Sequence, residues 1–562
     1  MVTGPWNTSV VQLAPRYYRD NFQLLCHTVE RQYADLLHTE EQNWLAAFSA
    51  LPAAAQCLYI RLISRVGPWF RCGKLNYPEI GELTEPLAIL LAQGFLIEAE
   101  ALEVVELGRL YTRPELQRHF AAALARRGPT KADDLDAIAQ WAGQQDFSNA
   151  DLLSVIRQRD GDRIVAATAL ETVELLQLLF FGNRRQSLTE FVLSDLGVAT
   201  YYPYRLDRAH RLFPDRASVD DYLACGQLAD QFAELSEAAD DEGMVVLAQA
   251  LLNVAVVHPA SERRWWRLFN RVARQLERLG QWEQALALYQ SSALPPARER
   301  AARVYEAQHN WPAAIQGCQR MVESPDSEEE REAALRMLPR LQRKAGIAVT
   351  SRPRDQFSRV DLTLRRRDLR VELQAAEELL QDWPAVHYVE NTLINGLFGL
   401  AFWEEIFSPA AGAFHNPFQS VPTDMYEGGF YRRRKSALDR RLSLLEHTDL
   451  LEFLSAQYQR FEGLQCRWVN WRMLPRPLLE HALQCIPCGH LLAIWRRMLF
   501  DPAENRRGFP DLIALGEEKG NYQMIEIKGP GDALQESQKR WLRFFAGHNI
   551  PASVAWVQWV HD

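Results

Sequence analysis

Cysteine is scarce, with eight in 562 residues scattered along the chain. That excludes a disulfide-built scaffold and points to a reducing compartment. The opening residues, MVTGPWNTSVVQLAPRYY, have no basic stretch leading into an apolar run, so no secretory signal is expected. The longest apolar stretches, such as Leu87 to Ile97, are too short to span a bilayer, so no membrane association is expected. An excess of positive charge is also missing. Lys+Arg total 63 against 72 Asp+Glu, a net charge of −9. Any nucleic-acid contact must therefore come from local basic surfaces. What is present is ordinary globular composition, 47% hydrophobic and 24% charged, which excludes a mainly disordered chain or a collagen. At roughly 100–200 residues per domain, the length implies three or four domains. A cytoplasmic location follows as an expectation.

One cysteine pair has metal-like spacing, Cys485 and Cys488, followed by His490. No second ligand pair stands at zinc-finger distance and the flanks are apolar, so a buried structural segment is the expectation.

Residues 1–105 read as a helical domain with one basic run, LYIRLISRVGPWFRCGKLNYPEI. Arg61, Arg65, Arg71 and Lys74 alternate there with Trp69, Phe70 and Tyr77. The run suits either a phosphate-gripping surface or a solvated helix face ending at Gly67-Pro68. In residues 106–165, Thr112 and Glu115 form a capping box at a helix start, and Pro129-Thr130-Lys131 opens a second helix. Two short helices joined through Arg126, Arg127 and Lys131 resemble a SAP module, a reader of the DNA backbone. Residues 166–350 read as a helical array. Within it, Arg274, Glu277, Trp282 and Ala285 recur 29 positions later as Arg303, Glu306, Trp311 and Ala314. A large Trp beside a small Ala suits packed helix pairs, and the stretch resembles TPR-like repeats.

Charge divides unevenly. Residues 1–350 carry 37 basic against 45 acidic side chains, and residues 351–562 carry 26 against 27. The C-terminal part concentrates arginine in two runs. One holds Arg352 and Arg354 and continues to Arg370. The other follows Phe430 and Tyr431 with Arg432, Arg433, Arg434 and Lys435. Both are candidate phosphate contacts.

The chemistry concentrates in RRGFPDLIALGEEKGNYQMIEIKGPGDALQESQKRWLRFF. Asp511 to Leu515 predicts a strand, Gly516 to Asn521 a turn, and Tyr522 to Lys528 a second strand with period-2 alternation. Gly529-Pro530-Gly531 stops it, and a helix is expected from Asp532. Alternation places Glu526 and Lys528 on one face. Two hard carboxylates with a lysine two residues on suit binding of Mg²⁺ or Mn²⁺ and hydrolysis of a phosphodiester. This is the P-D…E-x-K arrangement of restriction-endonuclease-type nucleases.

GFPDLIAL with EIKGPGDALQESQKRWL resembles the VRR-NUC nuclease domain. HYVENTLINGLFGLAFWEEIF (His387 to Phe407) and GGFYRRRKSALDRRL are similar to the Fanconi-associated nuclease family, and the SAP-like and TPR-like stretches fall in that family's order. The resemblance implies a multidomain, mostly α protein with a C-terminal α/β PD-(D/E)XK domain over residues 351–562. It implies a bacterial structure-specific DNA nuclease, nucleoid-associated when acting. Such an enzyme cuts branched and 5′-flap DNA, digests 5′→3′, and serves interstrand-crosslink repair with Mg²⁺ or Mn²⁺. By resemblance Asp511, Glu526 and Glu390 hold the metal, Lys528 is the catalytic lysine and Gln538 faces the site. Read locally, Glu390 and Gln538 are ordinary helix-surface residues. No ubiquitin-binding zinc finger is expected ahead of the first shared domain. DPAENRRG and LQESQ make a poor 5′-phosphate pocket, so handling of the 5′ end is expected to differ. The competing reading is a junction-binding repair adaptor with a vestigial nuclease domain.

Overall fold

A computed structural model describes residues 15–562 except 126–127, 185, 187–199, 255–256, 350–354 and 561–562. The chain divides into two units, residues 1–198 and 199–562.

The first unit begins with helices α1 (Tyr17–Tyr33), α2 (Thr39–Ala50) and α3 (Ala53–Ile63), then strand β1 (Trp69–Arg71), α4 (Thr84–Ala92) and β2 (Leu96–Glu98). α5 (Val104–Leu110), α6 (Arg113–His119), α7 (Lys131–Gln144), α8 (Asn149–Asp160), β3 (Ile164–Ala167) and α9 (Leu170–Phe181) follow. The capping box read at Thr112 and Glu115 is formed and starts α6. Thr130 and Ser148 cap α7 and α8 in the same way. β3 lies between β1 and β2 in one antiparallel sheet. Residues 164–167 therefore complete the sheet begun at 69–98, across the boundary expected near 105.

The second unit opens with the two-residue strand β4 (Thr200–Tyr201) and the helices α10 (Arg216–Glu237), α11 (Asp241–Leu252), α12 (Glu262–Arg278), α13 (Trp282–Ser291), α14 (Ala297–Ala307), α15 (Trp311–Glu323) and α16 (Glu328–Lys344). The internal repeat is realised as the pairs α12–α13 and α14–α15. Trp282 and Trp311 open equivalent helices, and Ala285 and Ala314 are fully buried where neighbouring helices meet. The repeat-equivalent acids are each clamped by the next pair. Glu277 accepts from Arg300, while Glu306 accepts from Arg340 at 2.6 Å and Lys344 at 2.9 Å.

The remaining elements build the C-terminal domain. They are β5 (Arg359–Arg365), α17 (Val371–Leu379), β6 (Ala385–Tyr388), α18 (Thr392–Ala401), α19 (Trp403–Ile406), α20 (Phe430–Glu446), α21 (Leu450–Phe461) and β7 (Leu464–Gln465). α22 (Arg476–Cys485), α23 (Cys488–Phe500), β8 (Leu512–Leu515), β9 (Tyr522–Lys528), α24 (Glu536–Gly547) and β10 (Ala552–Val560) complete it. The predicted hairpin is β8–β9, antiparallel with Leu512 opposite Ile525. It sits inside a five-stranded mixed sheet ordered β5-β10-β9-β8-β6. Alternate residues feed two cores. Ile513, Leu515, Tyr522 and Met524 join an aromatic-rich cluster with Trp403, Trp495 and Trp541. Leu512, Ala514, Ile525 and Ile527 pack with Leu362, Leu364 and α17. Tyr202 and Tyr204 pack against the first cluster, so this segment belongs with the C-terminal core. No helix among the described residues is long and apolar enough to cross a membrane.

Candidate active site

Three stretches distant in sequence meet at the end of the β8–β9 hairpin. Asp511 directly precedes β8, Glu526 and Lys528 close β9, and Glu390 lies between β6 and α18. The pleat puts Glu526 and Lys528 on the Tyr522–Met524 side of the sheet, under α24. Backbone bonds tie the stretches together. The N–H groups of Val389 and Glu390 both donate to the Asp511 carbonyl at 2.9 Å. The Ile527 N–H donates to Asp511 Oδ2 at 2.9 Å, which joins the two strands at the carboxylate.

Burial sets the electrostatics. Glu526 is only 1% exposed. Burial first, and then the neighbouring Asp511 charge, push its pKa up to about 8, against the opposing pull of Lys528. Asp511 is pushed up to about 6, again by burial first, with Glu372 and Glu390 adding repulsion. Lys528 Nζ lies 2.8 Å from Glu526 Oε1. Gln538 Nε2 donates to the same oxygen at 2.5 Å. Glu526 Oε2 is buried with no hydrogen-bond partner. The Glu390 carboxylate accepts from Tyr388 Oη at 2.6 Å and from Asn391 Nδ2 at 3.2 Å.

The implied divalent cation fits this donor set. Asp511, Glu526 and Glu390 offer hard oxygen ligands. The partnerless Glu526 oxygen and the two raised carboxylates are what an unneutralised cluster of acids produces. Among the described residues, no three of His, Cys, Asp and Glu side chains are grouped closely enough to hold an ion as they stand. The carboxylates are turned toward protein donors instead. A cleft of about 620 Å³ opens onto Glu390, Asp511 and Gln538, and helix α16 supplies its opposite wall with Glu329, Glu332 and Arg336.

The site residues expected from sequence, Glu390, Asp511, Glu526, Lys528 and Gln538, thus lie together. The α24 helix starts at Glu536, four residues later than expected, because Gln535 forms a capping box with Gln538. That cap aims the Gln538 amide at Glu526. Tyr388, Asn391 and Glu372 were not singled out by the sequence reading, and no local pattern marks them.

The expected DNA contacts fare unevenly. Arg71 is 8% exposed and bonds Glu115 at 2.9 Å, Asp162 at 3.0 Å and Asp160 at 3.3 Å, with its guanidinium over Tyr111. It is a structural cation and not a phosphate contact. Arg434 is likewise corrected: it is 4% exposed and bidentate to buried Asp424. Arg61 is half-buried on Glu79. α3, which carries it, is largely buried and presents little surface to a groove. Arg65 and Lys74 are exposed, the first beside the Tyr77 hydroxyl and the second 3.4 Å from Glu115. Lys131 is half-buried at the start of α7. Arg432 and Arg433 are exposed, Arg433 reaching Asp424 at 3.1 Å, and Lys435 pairs with Asp439. Arg126, Arg127, Arg352 and Arg354 lie outside the described residues. Cys485 and Cys488 donate to the Gly516 and Leu445 carbonyls, and His490 meets Tyr522, so the three form no common site.

Comparison with known proteins adds an independent observation. Residues 446–559 match the family model of the VRR-NUC domain, and residues 16–97 match that of the FAN1 HTH domain. The chain is 36% identical to a Pseudomonas aeruginosa Fanconi-associated nuclease 1 homolog, covering 98% of this chain and 97% of that one. It is 23% identical to the Arabidopsis thaliana homolog and 24% identical to human Fanconi-associated nuclease 1, spanning 66% and 61% of those longer proteins. A crystal structure of paFAN1 bound to 5′ flap DNA of 2 nucleotides with a gap superposes with a TM-score of 0.82. Identity there is 34%, over 98% of this chain and all of that one.

Proposed function

The chain belongs to the Fanconi-associated nuclease family, and from that premise we propose how this structure-specific DNA-repair nuclease cuts. Its substrate is branched duplex DNA carrying a 5′ flap, the DNA bound in the solved relative. The reaction is divalent-cation-dependent phosphodiester hydrolysis with Mg²⁺ or Mn²⁺, followed by 5′→3′ digestion, in the service of interstrand-crosslink repair. The observation that carries the reading is the Asp511–Glu526–Lys528 constellation, with Glu526 and Lys528 buried, Asp511 half-buried at the cleft and one Glu526 oxygen left without a partner.

Asp511, Glu526 and Glu390 would hold the cation, which would supply charge neutralisation at the scissile phosphate and a more acidic attacking water. Lys528 supplies a buried ammonium beside Glu526, placed to stabilise charge developing on the phosphate oxygens. Gln538 holds the Glu526 carboxylate in one orientation. Arg65, Lys74, Arg432 and Arg433 remain as exposed or partly paired cations for the duplex backbone. The test is cleavage of labelled flap DNA by Asp511→Ala and Glu526→Ala. Loss of cutting with retained DNA binding supports the assignment, and near-wild-type cutting by either variant refutes it.

A further inference from the structure

Glu390 carries the most telling backbone of the site. Its φ is +36°, in the left-handed region that costs an L side chain about 1–2 kcal/mol. A residue held in strain at a site points to function, because its surroundings must keep it there. Those surroundings are specific. Two consecutive N–H groups, of Val389 and Glu390, lock onto the Asp511 carbonyl. The side chain is then gripped on both oxygens, Oε2 by Tyr388 and Oε1 by Asn391. Asn391 is anchored in turn, since its Oδ1 accepts from the Phe509 N–H at 3.2 Å. One amide therefore bridges the upstream acid to the loop that delivers Asp511. One helical turn later, Asn395 Nδ2 donates to the Arg506 carbonyl at 3.0 Å and braces the same loop.

An ionised carboxylate has about four lone-pair sites. The two protein donors use two and leave the others open for a ligand.

We propose that Tyr388 and Asn391 are positioning residues that pre-set the Glu390 carboxylate against Asp511 and so strengthen binding of the divalent cation. This rests on the reading of Glu390 as a cation ligand. Donors that orient ligands typically contribute 10–100-fold to cation affinity.

The test is direct Mn²⁺ binding to the full chain, followed by the electron paramagnetic resonance signal of the free ion, with melting in EDTA alongside. Tyr388→Phe removes one oxygen and keeps the ring, and Asn391→Ala removes the bridge. Each is expected to weaken Mn²⁺ binding several-fold, and the double variant roughly tenfold or more, with melting in EDTA unchanged. Wild-type Mn²⁺ affinity in both single variants overturns the proposal. So does weakened binding that appears only with a lowered melting temperature, because that marks a structural role. Glu390→Gln separates the two layers. If it keeps full Mn²⁺ affinity, the ligand reading itself fails. If it weakens binding while Tyr388→Phe and Asn391→Ala do not, only the positioning role fails.

Discussion

Replacing Glu390 by Asn separates what the residue does for the fold from what it does for the reaction. Asn tolerates the left-handed region far better than Glu, so the substitution relieves about 1 kcal/mol of backbone strain. It also shortens the side chain and gives up the hydrogen bonds from Tyr388 and Asn391. At this exposed position those are worth about 1 kcal/mol in total. The two effects nearly cancel. Melting in EDTA should stay within roughly 4 °C of wild type, given about 2–4 °C per kcal/mol for a domain of this size. Cutting should fall on the order of 100-fold, the loss expected for one removed charge-stabilising group. Leu397→Ala gives the contrast. Leu397 is fully buried in α18, seven residues beyond Glu390, and its truncation should cost about 2–5 kcal/mol. The assays are thermal melting in EDTA and flap cleavage in Mn²⁺. A Glu390→Asn protein that melts as low as Leu397→Ala would make Glu390 a structural residue. One that is stable and still cuts at the wild-type rate would remove it from the site.

Lys528→Ala should slow cutting at saturating Mn²⁺ by roughly 100-fold while leaving Mn²⁺ affinity intact, and lost Mn²⁺ binding would contradict its role. Asp424→Ala strands the buried Arg434 guanidinium and should cost about 3–5 kcal/mol, read from chemical denaturation. Arg432→Ala should leave stability unchanged and weaken duplex binding more at low salt than at high salt. His415 is fully buried, and burial holds its pKa down at about 4, against the opposing Asp424 charge. The unfolded chain, with a His pKa near 6.5, therefore binds the proton more readily, so stability is full above pH ~6.5 and falls as the pH drops toward 4. At about 1.36 kcal/mol per unit the loss is about 3 kcal/mol. His415→Gln should flatten the pH profile of melting in that window, and an unchanged profile would remove His415 as its cause.

The β8–β9 hairpin was legible because its information is local. The alternation from Tyr522 to Lys528, the turn at Gly516 to Asn521 and the stop at Gly529 are contiguous in sequence. The helical repeat was legible for the same reason, since Trp282 and Trp311 each mark a helix start that packs on a small residue. Glu390 was not, because the chain returns to Asp511 only 121 positions later, and local pattern does not encode that closure. Only family resemblance singled it out. The basic runs misled at Arg71 and Arg434 for a related reason. The carboxylates that bury Arg71 include Asp160 and Asp162, some ninety residues away. A run of arginines does not say which member faces a distant acid and which faces solvent. Tyr388 and Asn391 carry no sequence signal, because their role exists only once Glu390 has its strained backbone.

The most direct test of the central claim is cleavage of an end-labelled 5′-flap DNA in Mn²⁺, Mg²⁺ or EDTA, with Asp511→Ala run beside the wild type. The structure predicts cuts near the junction that need the cation and vanish in the variant while the DNA stays bound. Tight flap binding without cutting in any cation, or cutting that persists in Asp511→Ala, would contradict it.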